Sequence, residues 1–194
     1  MKDKVSRKQQ ILETLAHELE KSPGSRMTTA GLAKAVGVSE AALYRHFASK
    51  AKMFEALISF AEESVFSRVN RIIDEVKSTK TRSAQVFYLM LMFADKNPGI
   101  TRVLLGDALV GETERLQVRV DQFFSRLESQ FKQILREAEL RDGLQLNMPV
   151  DSACAMIVAL IEGRMHQYLR THFKRSAVQQ WEEHWAVIEN SLFH

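Results

Sequence analysis

Residues 28–47 read Thr-Thr-Ala-Gly-Leu-Ala-Lys-Ala-Val-Gly-Val-Ser-Glu-Ala-Ala-Leu-Tyr-Arg-His-Phe, which predicts two short helices joined by a tight turn. Two helices that cross steeply need a small side chain where their backbones approach, and Ala33 supplies one. The turn needs a residue that tolerates positive φ, and Gly37 supplies it. Apolar side chains stand where the pair must pack on a preceding helix: Val36, Val38 and Leu43. The segment is therefore a candidate helix-turn-helix.

The second helix of this pair carries side chains suited to reading duplex DNA. In helix-turn-helix proteins its N-terminal residues meet base edges in the major groove, and Ser39 is the predicted N-cap. Ala41 and Ala42 suit contact with thymine methyl groups, and Glu40 suits a cytosine amine. Hydroxyl, imidazole and ammonium donors, Lys50 among them, suit phosphate oxygens. The predicted DNA contacts are Thr28, Thr29, Ser39, Glu40, Ala41, Ala42, Tyr44, Arg45, His46 and Lys50. A helix pair with a merely structural role is the alternative.

Basic residues are concentrated at the N-terminal end of the chain. Residues 1–52 carry 10 Lys and Arg against 5 Asp and Glu, whereas the remainder carries 17 against 19. The formal charges are thus +5 and −2, which sum to the net +3 of the whole chain. A basic segment on a slightly acidic body indicates a polyanionic partner at one end, in agreement with DNA. A solvated surface of uneven charge is the plainer interpretation.

The rest of the chain shows helical periodicity. Only 3 Pro and 8 Gly interrupt it, which favours long helices over a strand-rich fold. We predict an all-α protein of about nine helices. A helix-turn-helix domain over residues 7–52 would be followed by a helical dimerisation and partner-binding domain over residues 53–194.

Two segments of the helical body have a distinct character. Residues 112–140 form one predicted amphipathic helix, whose apolar positions loosely resemble a coiled-coil seam and which ends at Arg141-Asp142-Gly143. Apart from Glu162, residues 153–163 are apolar around the circumference, so that helix needs cover on two sides. Its own core supplies one cover, and a symmetry mate is the natural second. We therefore predict a homodimer through the last two long helices.

Leu43-Tyr44-Arg45-His46-Phe47-Ala48-Ser49-Lys50, placed at the end of such a helix pair, resembles the TetR family of bacterial regulators. The rest of the chain fits that plan of three helices for DNA and a helical body that dimerises. Three motifs are similar to one branch of the family, the nucleoid occlusion factors: residues 38–47, Asn97-Pro98-Gly99 and Glu114-Arg115-Leu116-Gln117. The resemblance implies binding to palindromic chromosomal sites and, on DNA, antagonism of the tubulin-like division GTPase FtsZ. Cell division would thereby be inhibited over the nucleoid.

The resemblance also implies where the short C-terminal tail of FtsZ binds. Phe60 and Arg68 lie eight residues apart, about two helical turns, so both project from roughly one face of the predicted fourth helix. Leu89 belongs to the next helix, and Asn97 to the turn that ends it. An aromatic edge, an arginine and an asparagine would suit an extended peptide with apolar and acidic residues. The alternative is that Phe60 and Leu89 are ordinary core and Arg68 is a solvated charge.

Three other classes of protein compete with this interpretation. An enzyme is disfavoured because His166 and His172 are six residues apart, not at the spacing of two metal ligands on one helix face, and no glycine-rich phosphate loop occurs. We predict no catalytic residue, metal or cofactor. A ligand-sensing repressor is the commonest kind of TetR-family protein, and six residues are candidates to line its pocket, although their spacing favours core: Phe87, Tyr88, Met90, Met92, Met156 and Met165. A pure protein-interaction scaffold is the third alternative.

The location of the protein is predicted from its ends and its cysteine. Cys154, the single cysteine, cannot form an intramolecular disulfide and lies in an apolar run, so it is a predicted core residue rather than a nucleophile. The polar start Met1-Lys2-Asp3-Lys4 is followed by no apolar stretch, which predicts no signal peptide. The longest apolar runs are too short to span a bilayer. We expect a cytoplasmic, nucleoid-associated protein.

Overall fold

A computed structural model describes residues 6–194, so the polar start Met1-Lys2-Asp3-Lys4 lies outside the described residues. The helices of this part of the chain are α1 (Arg7–Lys21), α2 (Thr29–Val36), α3 (Glu40–His46), α4 (Lys50–Glu75), α5 (Thr79–Lys96), α6 (Pro98–Leu104), α7 (Glu114–Arg136), α8 (Ala138–Asp142), α9 (Val150–Arg170) and α10 (Trp181–Leu192), with a 3₁₀ turn at Asp107–Leu109. The described residues hold no strand beyond an isolated antiparallel bridge between Leu146 and Phe193. The predicted all-α fold is confirmed. No described helix is long and apolar enough to cross a membrane.

The chain divides into two compact units. The first comprises the described residues up to Ala61 together with Asn97–Asp121, and the second comprises Glu62–Lys96 and Gln122–His194. Helices α4 and α7 therefore contribute residues to both units. The first unit contains the predicted DNA-binding domain, residues 7–52, and in addition α6 and the first part of α7. That residues 7–52 act as a domain of their own stays a prediction.

The core of the first unit is built on α1. Its apolar stripe of Ile11, Leu15 and Leu19 is buried, as a helical period predicts for an amphipathic helix. Helix α6 lies so close to α1 that a Cβ atom added to Gly99 would be 1.9 Å from the backbone oxygen of Ala16. Only glycine permits this approach of the two backbones.

Arg102 of α6 is a buried charge that holds the end of α1. Its Nη1 atom donates to the carbonyl oxygens of Leu19 and Ser22, each at 2.7 Å, and its Nη2 atom donates to that of Ser25 at 2.9 Å. Its Nε atom donates to the carboxylate of Asp107 at 2.5 Å. The last carbonyls of a helix lack partners within the helix, and this guanidinium supplies them. The charge is paired and hydrogen-bonded, which is what makes its burial tolerable.

The second unit has its core between α5 and α9. Both helices bury apolar side chains, among them Val86, Phe87, Met90, Ile157, Ile161 and Met165. A second buried guanidinium, that of Arg82, donates to the carboxylate of Glu137 at 3.2 Å and to the carbonyl oxygens of Ile73 and Val76. The two units thus each contain one arginine that satisfies carbonyls at or near the end of a helix.

The single helix predicted over residues 112–140 is wrong in its extent. Helix α7 ends at Arg136, and the separate short helix α8 follows it. The break lies at Glu137, whose ψ of −8° departs from the helical value near −42°. At the end of α8, the Asp142 carboxylate accepts a hydrogen bond from the backbone N–H of Thr79 at 2.6 Å, which joins this short helix to the start of α5. The predicted end is confirmed, since Gly143 follows α8 in the left-handed region with φ 64°.

Candidate nucleic-acid interface

Helices α2 and α3 are set by the residues at their ends. The Oγ1 atom of Thr28 accepts from the backbone N–H of Gly31 at 3.1 Å, and the Oγ atom of Ser39 accepts from that of Ala42 at 3.2 Å. Each helix therefore begins with a side-chain cap, which stabilises a helix by about 1 kcal/mol. Between them, Gly37 adopts the left-handed conformation with φ 76°. The predicted tight turn at this glycine is confirmed.

Helix α3 buries one side and presents the other to solvent. Leu43 is fully buried on the inner side. Seven of the ten predicted DNA contacts are exposed, namely Thr28, Ser39, Glu40, Ala41, Tyr44, Arg45 and His46. Thr29 and Ala42 are half-buried. The Tyr44 hydroxyl donates to Thr29 Oγ1 at 3.5 Å, so the start of α2 and the end of α3 meet on the exposed side. The geometry presents donors, methyl groups and positive charge together.

Lys50 differs from the other candidates because its charge is already paired. Its side chain is only 18% exposed, and its Nζ atom lies 2.5 Å from the carboxylate of Glu112. The same Nζ atom is 5.5 Å from the centre of the Phe54 ring. The sequence predicts a phosphate donor at this position, and in the structure the ammonium forms a partly buried ion pair.

The sequence analysis missed Glu112 and its second cation, Arg26. The Glu112 carboxylate is 9% exposed and lies 3.9 Å from the Nη2 atom of Arg26, which also donates to the carbonyl oxygen of Gly111 at 3.1 Å. No spacing rule joins residues 62 positions apart, so the Lys50–Glu112 pair had no local signal in the sequence. For Glu112 itself, the only local signal in the sequence was an acidic residue directly after Gly111, at the start of the predicted amphipathic helix.

The four residues predicted to bind the FtsZ tail lie in different units. Phe60, in the first unit, is 43% exposed, which is unusual for an aromatic side chain and disagrees with an ordinary core role. Asn97, also in the first unit, is half-buried at the start of α6. In the second unit, Arg68 is exposed and donates to the carbonyl oxygen of Ser64 at 2.7 Å, and Leu89 is half-buried.

The outward side of α9 and α10 in the second unit includes exposed apolar residues beside charged ones such as Glu182 and Glu183. Leu160 is 39% exposed and Val187 is 67% exposed. Along α9, the exposed positions Ala155, Ala159 and Gly163 carry small or no side chains. Large exposed apolar patches mark interaction surfaces, and these residues are candidates for one. They lie on the two helices through which the sequence predicts a homodimer.

The second unit also contains a cavity of ≈ 400 Å³. Its lining is largely apolar, with Phe87, Leu91, Leu160, Trp181, Val187 and Ile188, and includes the polar side chains Arg164, Gln167, Arg175 and His184. Of the six residues suggested from the sequence as a pocket lining, only Phe87 contributes to this cavity. Met90 and Met165 are fully buried core residues, as the alternative predicted.

Other chemistry has no support in the described part of the chain. Burial raises the pKa of the Cys154 thiol to about 11, so the thiol stays protonated at neutral pH and is a poor nucleophile. Among residues 6–194, no group of three or more His, Cys, Asp and Glu side chains is arranged to hold a metal ion.

A capped helix pair with an exposed, partly basic second helix, in an all-helical chain, defines a helix-turn-helix DNA-binding protein. Comparison with known proteins agrees. Residues 11–57 match the model of the bacterial regulatory proteins of the tetR family, and residues 77–193 match the SlmA-like model of the tetracyclin repressor-like C-terminal domain. The solved MbdR regulator from Azoarcus sp. CIB superposes with a TM-score of 0.82 at 14% identity, over 96% of this chain and 99% of that one, and shows the same fold.

Two relatives are much more similar in sequence. The nucleoid occlusion factor SlmA of Marinomonas sp. (strain MWYL1) is 52% identical over 189 residues, which cover 97% of this chain and 96% of that protein. The nucleoid occlusion factor SlmA of Shewanella frigidimarina (strain NCIMB 400) is 51% identical with the same coverage. The chain therefore belongs to the TetR family and, within it, to the SlmA nucleoid occlusion factors. This membership confirms the prediction that it is a DNA-binding regulator and not an enzyme.

Proposed function

We propose that the protein binds palindromic duplex sites scattered over the chromosome and acts there as a nucleoid occlusion factor. The observation that carries the proposal is the exposed side of α3, on a helix whose first turn is capped by Ser39 and whose last turn carries Arg45 and His46. A cationic end and a capped N-terminus are what a recognition helix needs to lie in the major groove between two phosphate strands. The protein would accordingly be found at the nucleoid.

In this proposal the ten predicted contacts divide by chemistry. Ala41 and Ala42 would contact thymine methyl groups, and Glu40 would accept from a cytosine amine. Donors at the ends of α2 and α3 would bind phosphates and set the register without reading sequence. These are Thr28, Thr29, Ser39, Tyr44, Arg45 and His46, with Lys50 at the start of α4.

A genome-wide map of bound sites by chromatin immunoprecipitation tests the proposed function. Scattered sites across the chromosome are the expected result, because occlusion must protect DNA wherever a septum forms. A single site beside a transport or efflux gene would instead identify a local repressor. No retardation of any duplex at low salt would remove DNA binding altogether and favour an interaction scaffold.

We further propose that the division GTPase FtsZ is the partner antagonised on DNA, and that its C-terminal tail contacts Phe60, Arg68, Leu89 and Asn97. The exposed Phe60 ring and the exposed Arg68 guanidinium support the proposal, each from its own unit. Aromatic and arginine side chains dominate the binding energy of protein interfaces. An apolar and acidic peptide would complement both.

Fluorescence anisotropy with a labelled FtsZ tail peptide tests this contact on protein already bound to duplex DNA. Phe60→Ala combined with Arg68→Asp should abolish measurable peptide binding while leaving DNA affinity and dimerisation unchanged. Val118→Ala combined with Arg126→Asp, on α7, is the matched control and should bind the peptide normally, because Val118 is 48% exposed and Arg126 is also exposed. Peptide affinity of the first variant within about twofold of wild type, a difference of less than 1 kcal/mol, would disprove the contact.

A ligand-responsive repressor is the second candidate, and the ≈ 400 Å³ cavity of the second unit is the observation that favours it. Arg164 and Arg175 at an apolar cavity would suit a hydrophobic acid. A thermal-shift screen with hydrophobic carboxylates separates the two functions. A ligand that raises the melting temperature and releases DNA would establish a sensor, whereas absence of hits agrees with nucleoid occlusion alone.

A further inference from the structure

Lys50 and Glu112 form a pair at the edge of the proposed DNA interface. Lys50 is the first residue of α4, and α3 ends at His46, so the ammonium lies close in sequence to the proposed contacts. Glu112 lies in the connection between the 3₁₀ turn and α7 and approaches Lys50 to 2.5 Å. Both residues belong to the first unit. The pair therefore lies entirely within the unit that carries the helix-turn-helix.

The surroundings of this pair make it stronger than an ordinary surface contact. The Lys50 side chain is 18% exposed and the Glu112 side chain 9% exposed, so water screens their attraction less than it screens exposed charges. A carboxylate left alone at that depth would be costly. Arg26 removes this difficulty, because its Nη2 atom lies 3.9 Å from the same carboxylate. Glu112 thus has a second cation available if Lys50 leaves.

We propose that Glu112 is an internal competitor for the DNA phosphate that Lys50 binds. In the free protein the Glu112 carboxylate is ion-paired with the Lys50 ammonium. When DNA binds, the ammonium leaves the carboxylate and contacts a phosphate oxygen. Arg26 then neutralises Glu112. Glu112 is thereby a positioning residue that acts through Lys50 and lowers the affinity for every DNA sequence alike. The inference rests on the proposed phosphate contact of Lys50.

The exchange has a measurable electrostatic signature. A free lysine that neutralises a phosphate releases condensed counterions, which adds about 0.9 to the slope of log affinity against log salt. A lysine that must first break an ion pair with a carboxylate contributes less binding free energy, and a smaller salt dependence, when it binds the same phosphate. Removing the charge of Glu112 should therefore both tighten binding and steepen its salt dependence. A purely structural role for Glu112 would leave the slope unchanged.

The experiment measures binding of a mixed-sequence duplex at several salt concentrations by anisotropy. Glu112→Gln should bind roughly three- to tenfold more tightly than wild type at low salt, with a slope steeper by less than the ~0.9 that a free lysine contributes. Glu114→Gln is the matched control, because Glu114 is exposed in the first turn of α7 and carries the same charge two residues away. It should behave as wild type. Lys50→Ala should cost more affinity in the Glu112→Gln background than alone, since the competitor is then absent.

Three results would overturn the inference: equal slopes for Glu112→Gln and Glu114→Gln, weaker binding by Glu112→Gln, or strictly additive effects of the Glu112 and Lys50 changes. Glu112→Asp, which keeps the charge but shortens the reach, serves if Glu112→Gln does not fold, and it should give an intermediate slope. A wild-type protein that does not bind the duplex would refute the proposed function itself. If wild type binds the duplex but Glu112→Gln changes neither the affinity nor the salt slope, only this inference is refuted.

Discussion

Arg102 shows how much of the first unit depends on one side chain. It is 1% exposed, yet it carries a charge and five N–H groups that must all find acceptors. The residues it joins are up to 83 positions away, so its role follows from the packing of α6 on α1 and not from any local pattern. By contrast, the cap at Ser39 and the turn at Gly37 were predictable, because their chemistry is complete within a few residues.

Arg102→Met should destabilise the protein by ~3–5 kcal/mol, because it leaves buried carbonyl groups and the Asp107 carboxylate without a partner. Arg141→Met is the control, since Arg141 pairs with Glu137 while 45% exposed and should cost less than ~1 kcal/mol. Urea denaturation at a fixed protein concentration measures both. Equal losses for the two variants would contradict the role assigned to the buried guanidinium.

Among the helices, α3 combines two demands at its N-cap. Ser39 must accept a hydrogen bond from the backbone of Ala42, and in the proposed complex it also faces DNA. An aspartate there would still cap the helix but would bring a negative charge to the phosphates. The two roles can therefore be separated by one substitution.

Ser39→Asp should keep the melting temperature within a few degrees of wild type, since a change below ~0.5 kcal/mol moves it little, and should weaken DNA binding at least tenfold. Ser78→Asp is the matched control: Ser78 caps α5 through the backbone N–H of Thr81 at 3.3 Å and lies in the second unit. It should leave DNA affinity unchanged. Equal DNA affinity of the two variants would place the start of α3 away from DNA.

Helix boundaries illustrate where periodicity stops being informative. The seam of residues 112–140 continues through Ala138, so apolar spacing alone could not reveal the break after Arg136. The break is a change of backbone conformation at the single residue Glu137, and the short helix after it contacts the start of α5, an element distant in sequence. The turn at Asn97-Pro98-Gly99 was predictable from its composition. Its close approach to Ala16 was not, because the distance is set by two helices packing.

At the scale of the whole molecule, the exposed apolar residues Leu160 and Val187 agree with the homodimer that was predicted from sequence and that membership of the TetR family supports. Periodicity could identify this surface because a helix that is apolar all round must be covered twice. The mate that covers it would also bring a second helix-turn-helix to the second half of a palindrome. Dimerisation and DNA affinity are then linked.

Ala159→Asp should place an unpaired charge in the dimer seam at a cost of several kcal/mol and yield free monomer in sedimentation. DNA affinity should fall with it, because a monomer engages only one half-site. Val118→Asp introduces the same charge at a residue of α7 that is 48% exposed, and it should remain dimeric. An Ala159→Asp variant that sediments as a dimer and binds DNA normally would move the seam to other helices.

The buried thiol of Cys154 has a practical consequence for observing the protein at work. Because Cys154 is the only cysteine and its thiol stays protonated at neutral pH, the native chain should react very slowly with maleimide dyes. A cysteine introduced at an exposed site would thus be labelled selectively, without first removing the natural one. A fluorophore at Val118 and another on duplex DNA would then report arrival and departure in real time, molecule by molecule.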